Sequence, residues 1–326
     1  MANRKLWAAM LAMALAFGMA ACGKGSKADS KTADSGKKTD SKSSSSSNMT
    51  WIDVADSPFG DSEISSIAFG NGKFVAVGGN KKIAYSTDGV TWTAVKEYPP
   101  KVVLSAITYG KDKFVAVGMG LAYSSDGIKW TAIEANSQNV GFGAIAYGKN
   151  KFVAVGFGLA YSSDGISWTV VTDPNQNAGF GAITYGKDKF VAAGMRGGMA
   201  YSTDGVKWTA VDVSSIFGTS SIYAIAYSNN KFVAGGDKGK MAYSSDGVKW
   251  TAVKDSPFDS LNDIAFGNGK FVAVGDFRNS GYSSDGIKWT LVSESMYNRK
   301  IKAIAFGNGK FVTGTNDGDM AYSMGK

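Results

Sequence analysis

Residues 121–133 read LAYSSDGIKWTAI, and nearly the same string returns as LAYSSDGISWTVV at 159–171, MAYSTDGVKWTAV at 199–211 and MAYSSDGVKWTAV at 241–253. A segment copied this often is a building unit, because an active site needs one constellation and an architecture needs many similar parts. Upstream of each copy stand two further phrases of the AIAYG and GKFVAVG kind. All four phrases are short, rich in β-branched or aromatic residues and bounded by Gly, Asn or Asp, which is how strands joined by tight turns read.

Tryptophan sets the period. Trp51, Trp92, Trp130, Trp168, Trp208, Trp250 and Trp289 are spaced by 41, 38, 38, 40, 42 and 39 residues. Four strands repeated about every 40 residues predict the blades of a β-propeller, and the 3.6-residue periodicity of a helical solenoid is missing. First-strand phrases centred on Ile67, Ile107, Ile145, Ile183, Ile225, Ile264 and Ile304 predict seven blades. The seventh unit stops at AYSMGK without its own WTAV, whereas TWIDV stands near the other end. The expected fold is therefore an all-β, seven-bladed propeller of four-stranded blades, the last closed by the N-terminal strand Thr50–Val54. Closure removes edges that would otherwise invite aggregation.

The S-[ST]-D-G-x-x-W motif, as in Ser124-Ser125-Asp126-Gly127-Ile128-Lys129-Trp130, resembles the Asp-box of the sialidase-like repeat superfamily, with one residue fewer between Asp and Gly. The resemblance covers nearly all of residues 50–326 and implies a hairpin between the third and fourth strands of each blade. Asp88, Asp126, Asp164, Asp204, Asp246 and Asp285 are expected to staple that turn, since Asp bonds nearby backbone amides and Gly accepts positive φ.

Antiparallel strands divide the turns between two faces. One carries the GNGK or GKDK turns and the boxes, and it scarcely changes between blades. The other carries the blade connections and second-to-third turns such as MRGGM, DKGK and DFRNS, where the sequence varies. Ligand contacts are expected there, from Tyr98 and Tyr297, from the amide-rich loops holding Asn136, Gln138, Asn139, Asn175, Gln176 and Asn177, and from Arg196, Arg278 and Arg299. Aromatic rings pack on apolar sugar faces or side chains while amides satisfy hydroxyls. Each blade entry also has an aromatic residue, Phe59, Phe142, Phe180, Phe217 and Phe258 among them, which either joins such a platform or wedges between blades.

Ahead of the repeats, Arg4 and Lys5 precede an apolar run and small residues ending at Cys22, the order of a secretory signal over residues 1–21 and too short for a membrane span. Met19-Ala20-Ala21-Cys22 resembles the lipobox of bacterial lipoproteins, which implies lipid attachment at Cys22. By the same resemblance, Gly23 implies the outer membrane. Residues 22–49 are Ser- and Lys-rich with almost nothing apolar, and are expected to form a disordered tether. Of the formal charge of +8, two units fall in the signal, three in the tether and three in the repeats, so the basic pI does not point to nucleic acid.

With no histidine and one cysteine, histidine triads, histidine metal sites and disulfides are excluded. No cofactor and no metal are expected. The residues predict a monomeric, noncatalytic binding module of the bacterial envelope, anchored by its lipid and offering the variable face to a glycan, peptide or protein. Two alternatives stand beside it. One is a periplasmic assembly scaffold, like the Asp-box photosystem assembly factors. The other is a sialidase-like glycoside hydrolase, for which the three arginines would clamp a carboxylate.

Overall fold

The computed structural model describes residues 49–99, 101–134, 141–171, 179–276, 280–292 and 299–324. It is an all-β propeller of seven blades. Blade 1 comprises Ile64–Gly70, Lys73–Gly78, Lys82–Ser86 and Thr93–Ala94, paired in that order and antiparallel. The later blades repeat it. In blade 2 the second and third strands run on as one element, Lys113–Ser124, through a tight turn at Gly120. The seven first strands neighbour one another in a closed circle, so they form the innermost ring and the boxes lie outside it.

The ends close blade 7. Ile52–Asp53 pairs with Met320–Met324, Ile52 opposite Tyr322 and Asp53 opposite Ala321, and Val54 N–H donates to the Met320 carbonyl at 2.9 Å. The ring boundary lies slightly earlier than composition suggests. Met49, assigned above to the tether, is buried in a core cluster with Val272, Val274 and Phe311.

Packing explains why the phrases repeat. At the end of six of the seven first strands a glycine lies under an aromatic ring of the next blade, and blade 5 has Ser228 there. A Cβ on Gly110 would stand 2.2 Å from Tyr147, and one on Gly307 would stand 2.1 Å from Phe69, across the closure. In every blade a wholly buried Phe of the second strand, from Phe74 to Phe311, fills the core beside that ring. Each repeat unit is thus half of a joint with its neighbour.

The blade-entry aromatics are not one structural class. Phe142 and Phe180 occupy the first-strand position that Ile64, Ile222 and Leu261 hold elsewhere, whereas Phe59, Phe217 and Phe258 precede their strands. All five are buried, which makes them wedges and not a surface platform.

Candidate functional site

The Ser-x-Asp-Gly turns are self-contained staples. In blade 1, Ser86 Oγ donates to Asp88 Oδ1 at 2.9 Å and accepts the Gly89 N–H at 2.8 Å. Asp88 Oδ1 also accepts the Val90 and Thr91 N–H groups at 2.8 and 2.7 Å. The turns at Asp126, Asp164, Asp204, Asp246 and Asp285 repeat this. Burial raises the carboxyl pKa, but the amide and hydroxyl donors outweigh it and hold Asp88 and Asp164 at about 2. Lysines of the preceding blade then clamp the turns: Lys113 Nζ donates to the Asp164 carbonyl at 2.8 Å and Lys189 to that of Asp246 at 2.7 Å. These carboxylates are committed to architecture, and among the described residues no group of His, Cys, Asp and Glu could hold a metal ion.

The opposite face is where the blades diverge. The residue just after the second strand takes the same place in each blade, since Phe157, Met195, Asp237 and Asn316 each donate their N–H to the carbonyl preceding their own first strand, at 3.0–3.2 Å. Met119 faces Val103 in register at the same level. Around the ring this place holds Gly79, Met119, Phe157, Met195, Asp237, Asp276 and Asn316. The consecutive blades 2, 3 and 4 therefore present an apolar crescent in which Met119, Phe157 and Met195 are 52%, 62% and 56% exposed. Its floor is low. At the second position of the first strand, blades 3 and 4 have Gly143 and Gly181, and a Cβ at Gly181 would meet nothing within 4 Å.

Blades 5 to 7 complete the rim with polar groups. Asp237 Oδ2 accepts the Ser221 N–H at 3.1 Å, and Asn316 Oδ1 accepts that of Lys300 at 3.2 Å. Asp276 holds Lys300 in an ion pair at 3.0 Å and accepts a bond from Asn262 Nδ2 at 2.8 Å. Tyr223 stands beside this group at 42% exposure. Burial, with the Asp237 and Asp276 carboxylates nearby, keeps its phenol above the ordinary range against a hydrogen bond to Ser221.

Of the expected ligand residues, Arg196 lies exposed at the tip of the blade 4 turn with φ +53°. Arg299 is ion-paired with Asp319 and, at 3.6 Å, with Asp317 in blade 7, three blades from Arg196. Tyr98 is half-buried against the core of blades 1 and 2. Its hydroxyl is enclosed near the Leu104 amide without a well-formed hydrogen bond, and burial pushes its pKa up. Asn136, Gln138, Asn139, Asn175, Gln176, Asn177, Arg278, Tyr297 and Cys22 lie outside the described residues. Sequence reasoning missed the crescent and its polar counterpart. The signal was one column of the repeat, the residue following AVG, AAG or AGG, which changes chemistry from blade to blade while its neighbours do not.

No protein-family model matches the chain, and no curated protein matches it. Solved structures resemble its fold. A streptogramin B lyase superposes with a TM-score of 0.75 at 13% identity, over 86% of this chain and 99% of that one. A catalytically inactive histidine-to-alanine variant of virginiamycin B lyase from Staphylococcus aureus, with quinupristin, gives 0.74 at 11%, over 85% and 99%. YCF48 bound to D1 peptide gives 0.68 at 14%, over 84% and 96%. The chain is a seven-bladed β-propeller. At these identities, the likeness of this propeller to its neighbours is one of fold alone.

Proposed function

We propose that this propeller is a noncatalytic binding module of the bacterial cell envelope, tethered through Cys22, whose variable face grips an extended peptide segment of a partner protein. One observation carries this reading: a rim whose one half is exposed Met119, Phe157 and Met195 over a glycine floor, and whose other half is Tyr223, Asp237, Asp276 and Lys300. An amphipathic peptide matches such a rim, with apolar side chains over blades 2 to 4 and polar ones over blades 5 to 7. A rigid ring contributes by ordering the contact groups before the ligand arrives. YCF48 bound to D1 peptide is a precedent for a peptide on a ring of this form.

Hydrolase or lyase chemistry is the weaker reading. The chain has no histidine, so the residue type whose loss accompanies inactivity in the virginiamycin B lyase variant has no counterpart here. An envelope scaffold would use the same face with a resident partner, and the same experiment addresses it.

A photo-crosslinking residue replacing Phe157 in cells is expected to capture a discrete protein, and Met119→Asp with Met195→Asp is expected to abolish capture. The same crosslinker at Thr93, on an outer strand, serves as control. Equal capture at both positions would remove the basis for this reading.

A further inference from the structure

The repeated face has chemistry of its own. Every hairpin between a third and a fourth strand carries an aliphatic residue just after its glycine: Val90, Ile128, Ile166, Val206, Val248 and Ile287. Ile128, Ile166 and Val248 are 36%, 38% and 36% exposed. In four of the six hairpins the next residue is an exposed lysine, Lys129, Lys207, Lys249 or Lys288. The blade-to-blade bonds are made by other lysines, such as Lys113 and Lys189, so these four ammonium groups point from the face without a structural task. The adjacent box carboxylates keep their negative charge, each bonded to backbone N–H groups of its own loop, but the lysines that open all seven second strands add further positive charge to the same face.

Aliphatic tips ringed by lysine suit an anionic bilayer, where apolar groups enter the headgroup layer and ammonium groups meet lipid phosphates.

We infer that the repeated face docks on an anionic lipid surface and thereby turns the Met119–Phe157–Met195 crescent away from it. Six equivalent tips act together, so contacts that are individually weak sum to useful avidity. This inference is independent of what the opposite face binds.

The test uses residues 49–326, a ring closed upon itself, so that neither lipidation nor the basic leader contributes. Co-flotation with vesicles of equal phosphatidylcholine and phosphatidylglycerol is compared with phosphatidylcholine alone. Binding is expected only to the anionic vesicles, to weaken with added salt, and to drop at least about tenfold in the variant Lys129→Glu, Lys207→Glu, Lys249→Glu, Lys288→Glu. Thermal melting of that variant should match the parent, because the altered side chains hold nothing together. Equal binding to both vesicles, absence of binding, or binding undiminished by the four substitutions overturns the inference. So does a loss that follows Met119→Ser, Phe157→Ser and Met195→Ser instead, since it would put the lipid on the other face.

Discussion

A single carboxyl marks where one blade departs from its siblings. Asp263 stands on the innermost strand of blade 6, at the position where Ala106, Ala144, Ala182, Ala224 and Ala303 stand in other blades. It accepts N–H bonds from Ile264 at 2.8 Å and, across the blade joint, from Ile304 at 2.9 Å. Ser66 makes the milder version of this bridge, accepting the Ile107 N–H at 3.3 Å. Burial pushes Asp263 up to about 7 from the ordinary 3.8, against the two amide bonds. The folded state therefore keeps a proton that the unfolded chain has lost, so this group's contribution to stability declines as pH rises from about 4 to 7 and is level above. Asp263→Ala should consequently gain in melting temperature relative to the parent when measured at pH 8 rather than pH 5. A difference that stays the same at both pH values would show that Asp263 is ionised throughout.

At the scale of the element, the hairpins on the repeated face differ in how well their residues suit the turn. Both central residues have positive φ, at 46° and 70° for Asn71-Gly72 but 46° and 59° for Lys111-Asp112. Asn-Gly is the preferred pair for such a turn, and Lys-Asp bears the strain that a Cβ imposes there. Asp112→Gly, which spares the Lys111 Nζ bond to the Ser163 carbonyl, should stabilise the fold by about 0.5–1 kcal/mol, measured by denaturant unfolding. Blade number, strand order and the Ser-Asp-Gly staples were legible in the sequence because each rests on a pattern stated seven or six times over. The rim was not, since a lone Met or Phe after a glycine reads alike whether its side chain turns into a core or out to solvent. The shared hydrogen bond from Phe157, Met195, Asp237 and Asn316 to the residue before each first strand sets the level of that column, and the exposure of Met119, Phe157 and Met195 puts it on the surface. Tyr98 lies in a variable loop, yet its half-buried ring packs on the core between blades 1 and 2, which the sequence did not show.

For the molecule as a whole, the decisive element is the strand donated by the N-terminal side. Six blades close their own Ser-Asp-Gly turn, but blade 7 has none, and Ser323, equivalent to Ser86, keeps a buried hydroxyl without a hydrogen-bond partner. The circle is instead secured by Val54 N–H on Met320 O, by Trp51 Nε1–H on Ser280 Oγ at 3.1 Å and by the burial of Met49. Val54→Pro removes one of these bonds and should cost about 2–3 kcal/mol. The loss should appear first as hydrogen exchange in Met320–Met324 ahead of global unfolding. Simultaneous exchange of all seven blades would instead mean that the ring opens only as a unit.

That seam has a mechanical meaning. The chain ahead of Met49 enters the ring through its closing strand, whose ladder is two residues long. Tension along that leader is thus delivered to a pairing of only two residues, while the joints between the other six blades lie off the line of pull. A tug sufficient to peel Ile52–Asp53 from Met320–Met324 would open the circle at one point and leave six stapled blades standing.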